Sequence, residues 1–128
     1  MSNAAFVDEN QFSGLINYCF PLSKISWLKV GGPVDVLFRP RTLDDLSRFL
    51  PLVPIEVKIM PIGACSNLLV RDGGLPGVAI KLGGRFAEIE PKDKLVKLGA
   101  GNFSSKVAVY LSELGYDLSF LRTIPGTI

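Results

Sequence analysis

Residues 60–77 read MPIGACSNLLVRDGGLPG, and they constrain the chain more than any other stretch. An apolar run stops at Gly63-Ala64-Cys65-Ser66-Asn67 and resumes at Leu68-Leu69-Val70. A run of small residues with two short polar side chains cannot continue a strand or a helix. It demands a compact loop between two short elements, and Gly73-Gly74-Leu75-Pro76-Gly77 sets a second turn close behind it. The length is that of one domain, which needs a packed core.

Composition allows such a core. Of 128 residues, 48% are hydrophobic and 20% charged, enough for a packed domain and against wholesale disorder. Formal net charge is +2, with 14 Lys and Arg scattered from Lys24 to Arg122. A nucleic-acid face would need a dense basic patch, so that partner is not expected. There is no histidine and only two cysteines, Cys19 and Cys65, which argues against a zinc site and against a His-dependent triad. Unpaired thiols suit a reducing compartment. The first residues, MSNAAFVDENQF, lack the basic-then-apolar pattern of a signal peptide, and no apolar run nears the roughly 20 residues of a membrane helix. A cytoplasmic domain without a membrane partner is the expectation.

Along the chain, residues 1–19 read as a loosely held N-terminal arm. VDVLFRP (34–40) alternates as a strand and stops at Pro40. The spacing of Leu43, Leu46, Phe49 and Leu50 predicts a helix over 42–50, with Thr42 as N-cap and Asp44 and Asp45 in the first turn. Strands are expected at 56–62, with Pro61 marking an edge, then at 67–72, 77–82, 86–90 and 94–101. A second helix is expected over 104–115, capped by Ser104 and stopped at Gly115. Strands clustered between two helices favour α+β over regular βαβ alternation.

Three glycine-bearing loops are candidates for chemistry. At Gly63–Asn67, successive backbone N–H groups could form an anion nest, with Ser66 and Asn67 as further donors for phosphate oxygens. On spacing alone, a tight turn between buried strands is the plainer reading. No Lys follows in P-loop spacing. GAGNFS (99–104) nearly matches G-x-G-x-x-G between a strand and a helix, but its third glycine is Ser104 and the acid expected about 20 residues on is at best Asp117, which precedes the candidate segment. IPGT (124–127) is by itself only a turn. Cys65 is expected as a small buried residue and Trp27 as a packing residue.

Four segments taken together, SWLKVGGPVDVLFRP (26–40), PIGACSNLLVRDGGLPGVAIKL (61–82), VKLGAG (96–101) and LSFLRTIPGTI (118–128), resemble the UDP-N-acetylenolpyruvoylglucosamine reductase (MurB) family of flavoenzymes. The resemblance implies an FAD-binding fold of the vanillyl-alcohol-oxidase (PCMH) type. Residues 20–82 would be its first FAD-binding subdomain and 83–128 the opening of the second. It implies FAD as cofactor, held by Gly63, Ala64, Cys65, Ser66, Asn67, Gly99, Gly101, Ile124, Pro125 and Gly126, with NADPH as co-substrate. The implied reaction, in peptidoglycan synthesis, reduces a UDP-sugar enolpyruvyl ether to UDP-N-acetylmuramate. The family has Gly where this chain has Cys65 and Thr123, and Lys24-Ile25 departs from its pattern too. The arginine, serine and glutamate that complete the family's chemistry match no position here, so no catalytic residue is assigned and the chain alone is expected to be inactive. A non-catalytic nucleotide- or anion-binding module, or a self-associating fragment, is the other reading.

Overall fold

The computed structural model describes residues 7–128. A four-stranded sheet in the order β1-β2-β4-β3 is built from β1 (Leu15–Pro21), β2 (Pro33–Arg39), β3 (Ile59–Ile62) and β4 (Leu75–Lys81). β1 runs antiparallel to β2, whereas β2, β4 and β3 run parallel. A two-stranded antiparallel sheet follows, β5 (Ile89–Lys92) and β6 (Leu95–Leu98). Two helices complete the fold, α1 (Leu43–Phe49) and α2 (Ser104–Glu113). The mixture is α+β, as the clustered strands suggest.

β1 is the first correction. Residues 7–19, expected as a loose arm, include most of β1, and Phe12 and Ile16 are buried; Met1–Phe6 lie outside the described residues. Tyr18↔Val36 and Phe20↔Val34 pair across the ladder, while Cys19 between them is left-handed at φ 47°. The parallel register of β2 with β4 breaks at the neighbouring Asp35, whose carboxylate takes the Gly77 N–H at 2.8 Å.

The break changes which face each side chain meets. One core gathers Phe12, Ile16, Val36, Phe38, Phe49, Val78 and Ile80 under α1. Phe38 and Phe49 stack with ring centroids 4.0 Å apart, and Phe12 meets each edge-on. The opposite face gathers Leu22, Val34, Leu37, Ile62, Cys65, Val70 and Ala79. Among the described residues, neither α1 nor α2 contributes to that second core. Its cover comes largely from the segment 63–70, which turns the Cys65 and Val70 side chains inward.

α1 is read correctly from the sequence in extent but not in all its buried positions. Thr42 and Asp45 form a reciprocal capping box. Leu43 is 70% exposed, while Asp45 is buried and ties α1 to the segment before β1. Its carboxylate accepts from the Ser13 N–H at 3.0 Å, the Ser13 hydroxyl at 2.7 Å and the Arg41 N–H at 3.0 Å. Burial alone would raise its pKa; these hydrogen bonds outweigh it and hold the group at about 2. A carboxyl held below its ordinary value stabilises the fold above that ordinary value, and the contribution fades as pH falls through about 2. Asp45→Ala is expected to cost about 2–3 kcal/mol at neutral pH and to remove that acid-side decline, as urea unfolding across pH 2–7 would show.

The expected strand at 67–72 does not form. Leu68 and Val70 pack inward and Leu69 points out, which mimics strand alternation, but the backbone joins no sheet. Arg71–Gly74 turns instead toward Gly31-Gly32: the Arg71 carbonyl accepts from both the Gly32 and the Gly74 N–H, at 3.0 and 2.9 Å. Residues 84–87 form a 3-10 turn ahead of β5 rather than its beginning. α2 is capped by Phe103, with no side-chain cap; Ser104 is buried and donates its N–H to the Gly126 carbonyl. Pro61 does lie in an edge strand, β3, where its missing N–H costs no ladder bond on the open side.

Candidate functional site

The loop Gly63–Asn67 leaves the carboxyl end of β3, the end of parallel strands at which open α/β sheets bind ligands. Two of its carbonyls are used. The Lys81 ammonium donates to the Gly63 carbonyl, and the Trp27 N–H donates to the Cys65 carbonyl at 3.2 Å. Its amides are not: among the described residues, none of the N–H groups from Gly63 to Asn67 finds a protein acceptor. A run of free N–H groups carries partial positive charge, the backbone feature an anion nest uses. Ala64 and Cys65 are buried residues, where an amide with no partner is costly unless something meets it.

The side chains explain how the loop holds this shape. Cys65 packs into the second core and adopts φ 54°, a left-handed conformation natural to glycine. Burial pushes its thiol pKa up, while the Lys81 charge nearby pulls the other way. Trp27, expected to pack, is 64% exposed beside the loop.

Segment 124–127 closes against the same loop. The Asn67 side chain donates to the Pro125 carbonyl at 3.3 Å. A Cβ on Gly63 would lie 2.1 Å from the Thr127 hydroxyl oxygen, so the glycine admits Thr127. Gly126, at φ 126°, faces Ser66, whose hydroxyl oxygen would lie 3.8 Å from a Cβ placed there. The structure thus brings Gly63, Ala64, Cys65, Ser66 and Asn67 together with Pro125 and Gly126, with Ile124 adjoining. One of the two amide protons of Asn67 is committed within the protein, and the Ile124 N–H goes to the Leu121 carbonyl.

Gly99 and Gly101 stand differently. Their N–H groups donate to the carbonyls of Glu88 and Phe86, at 2.9 and 2.8 Å. A Cβ on Gly99 would strike the Phe86 carbonyl oxygen at 2.1 Å. These glycines allow a close backbone crossing, and their amides do not face the cradle. Asn102, which sequence reading passed over, links this crossing to the site. Buried, it donates to the carbonyls of Glu88 and Gly99, and its own carbonyl accepts the Ile128 N–H at 2.9 Å. Lys81 and Thr127 were also missed. Lys81 sits at the polar end of an apolar strand and Thr127 in a turn, so only the three-dimensional pairing reveals either.

Among the described residues, no helix is long and apolar enough to cross a membrane, and no group of three or more His, Cys, Asp or Glu is placed to hold a metal ion.

Fold and loop together define an α+β domain with a run of unpartnered backbone amides at the carboxyl end of β3. No family model matches the chain. It is 43% identical over 122 residues to the UDP-N-acetylenolpyruvoylglucosamine reductase of Ruegeria pomeroyi, covering 95% of this chain and 40% of that protein. To the reductase of the same name from Roseobacter denitrificans it is 48% identical over 115 residues, covering 90% and 37%. The crystal structure of UDP-N-acetylenolpyruvylglucosamine reductase (MurB) from Thermus caldophilus superposes with a TM-score of 0.65 at 29% identity, over 88% of this chain and 38% of that one. The chain belongs to the UDP-N-acetylenolpyruvoylglucosamine reductase family and spans about two fifths of the length of these relatives.

Proposed function

We propose that this chain forms part of the FAD-holding region of a flavin-dependent reductase, built on the vanillyl-alcohol-oxidase type of fold. The overall reaction would be the NADPH-dependent reduction of UDP-N-acetylglucosamine enolpyruvate to UDP-N-acetylmuramate, in peptidoglycan synthesis in the cytoplasm. The observation that carries the reading is the run of unpartnered amides from Gly63 to Asn67, closed by Pro125 and Gly126. A diphosphate needs many N–H donors at close range and little side-chain bulk, and this loop offers both.

FAD fits this cradle on that count, with Gly63–Asn67 as its holders and Gly126 adding no side-chain bulk opposite Ser66. Bound FAD would supply a two-electron relay between NADPH and the enolpyruvyl double bond. The residues of this chain bind and orient. The Ser66 hydroxyl and the free Asn67 amide proton supplement the backbone donors, the Asn67 bond to Pro125 holds the two walls at fixed separation, and Cys65 anchors the loop floor in the core. No residue here is assigned to proton transfer. The resemblance carries Gly99 and Gly101 as cofactor-binding too; their committed amides favour a bracing part for both.

Titration of the chain with FAD, followed by flavin fluorescence, tests the reading. Saturable quenching is expected, weakened severalfold by Ser66→Ala. A flavin signal that never changes would refute it.

A further inference from the structure

Lys81 closes β4, and strand alternation places it on the same sheet face as Ala79, the face covered by the candidate loop. Its ammonium donates to the Gly63 carbonyl, the first residue of the cradle. An ammonium has three donors, and this contact uses one. Lys81 is only partly exposed, yet among the described residues no carboxylate lies within ion-pair distance of it. It also borders a cleft of about 590 Å³ whose walls carry Arg39, Arg41 and Arg85 and no acidic residue. The Arg39 guanidinium is engaged elsewhere, over the Phe20 ring at 5.1 Å. A half-buried cation without a counter-ion, set among like charges, is unfavourable in the empty protein and becomes favourable once an anion arrives.

We infer that Lys81 is the cationic anchor of the site, supplying the fixed positive charge that complements a nucleotide diphosphate held by the Gly63–Asn67 amides. The inference rests on the cradle reading above and deepens it by naming the residue that gives the site its charge selectivity. The backbone donors set the shape. Lys81 makes the affinity depend on ligand charge.

Calorimetric titrations of the chain with FAD and, separately, with inorganic pyrophosphate test it in the wild type, Lys81→Met and Lys81→Arg. For Lys81→Met we expect at least a tenfold loss of affinity for both probes, and affinity that falls less steeply with added NaCl. Lys81→Arg is expected to restore most of both. Unchanged pyrophosphate and FAD affinity in Lys81→Met would overturn the inference and leave the cradle reading intact. So would a loss with an unaltered salt dependence, which would make Lys81 a brace for the Gly63 carbonyl rather than a charge. A wild-type chain that binds neither probe would overturn both.

Discussion

Gly74→Ala is expected to lower the stability of this chain by about 4 kcal/mol, a large share of what a domain of this size possesses. Gly74 adopts φ 77°, and a Cβ there would lie 1.8 Å from the Pro33 carbonyl oxygen. The obstacle is backbone, so no rotamer change relieves it. The clash sits where the loop that carries the candidate site returns to the sheet. The Gly74 N–H shares the Arg71 carbonyl with Gly32, so moving this crossing uncouples the Arg71–Gly74 turn from the start of β2. Gly73 supplies the internal control. It has an ordinary φ, and nothing within 4 Å would meet a Cβ. Urea unfolding should therefore show Gly73→Ala within about 1 kcal/mol of the wild type, or above it, since alanine narrows the unfolded ensemble. Equal losses for the two variants would show that the close approach at Gly74 does not decide stability.

The second large effect is at Cys65. A β-branched side chain at φ 54° is a steric outlier, and the extra methyl would also crowd the packed core under the loop. Cys65→Val is expected to cost about 3 kcal/mol and to abolish FAD and pyrophosphate binding, because the amide run depends on that backbone conformation. Cys65→Gly relieves about 1 kcal/mol of left-handed strain and forfeits a similar amount of side-chain burial. Its stability should stay within about 1 kcal/mol of the wild type, with binding retained. Thermal unfolding with and without pyrophosphate reads both quantities. A valine variant that binds like the glycine variant would separate the cradle from the Cys65 backbone.

Several elements were legible because local chemistry and tertiary packing agree there. Thr42 caps α1, the alternation in β2 and β4 is strong, and Pro61 belongs at an edge. The misreadings each have a physical cause. β1 was hidden by the polar Asn17 and by left-handed Cys19, which interrupts its period. The strand read into 67–72 shows true alternation of burial, produced by a loop lying on a core rather than by a ladder. Asp45 looked like a charge serving the helix dipole, yet it is a buried acceptor for groups that no sequence window contains together. The loop itself stood out in the sequence, since small residues flanked by apolar runs have few uses. Its hydrogen bonding did not, because the partners of its carbonyls and of the Asn67 side chain, Trp27, Lys81 and Pro125, are all distant in the chain from the residues they touch. The near-match at 99–104 illustrates the converse, since its glycines answer to Phe86 and Glu88.

The second face of the sheet has a roof made of the same residues that are proposed to bind. Cys65 and Val70 are core on their inner side, and the outer side of that segment carries the free amides. Occupancy and folding are therefore one equilibrium: any anion gripped by those amides adds its binding free energy to the integrity of the core beneath, by mass action. The melting point of this chain should act as a gauge of saturation, rising with the logarithm of ligand concentration.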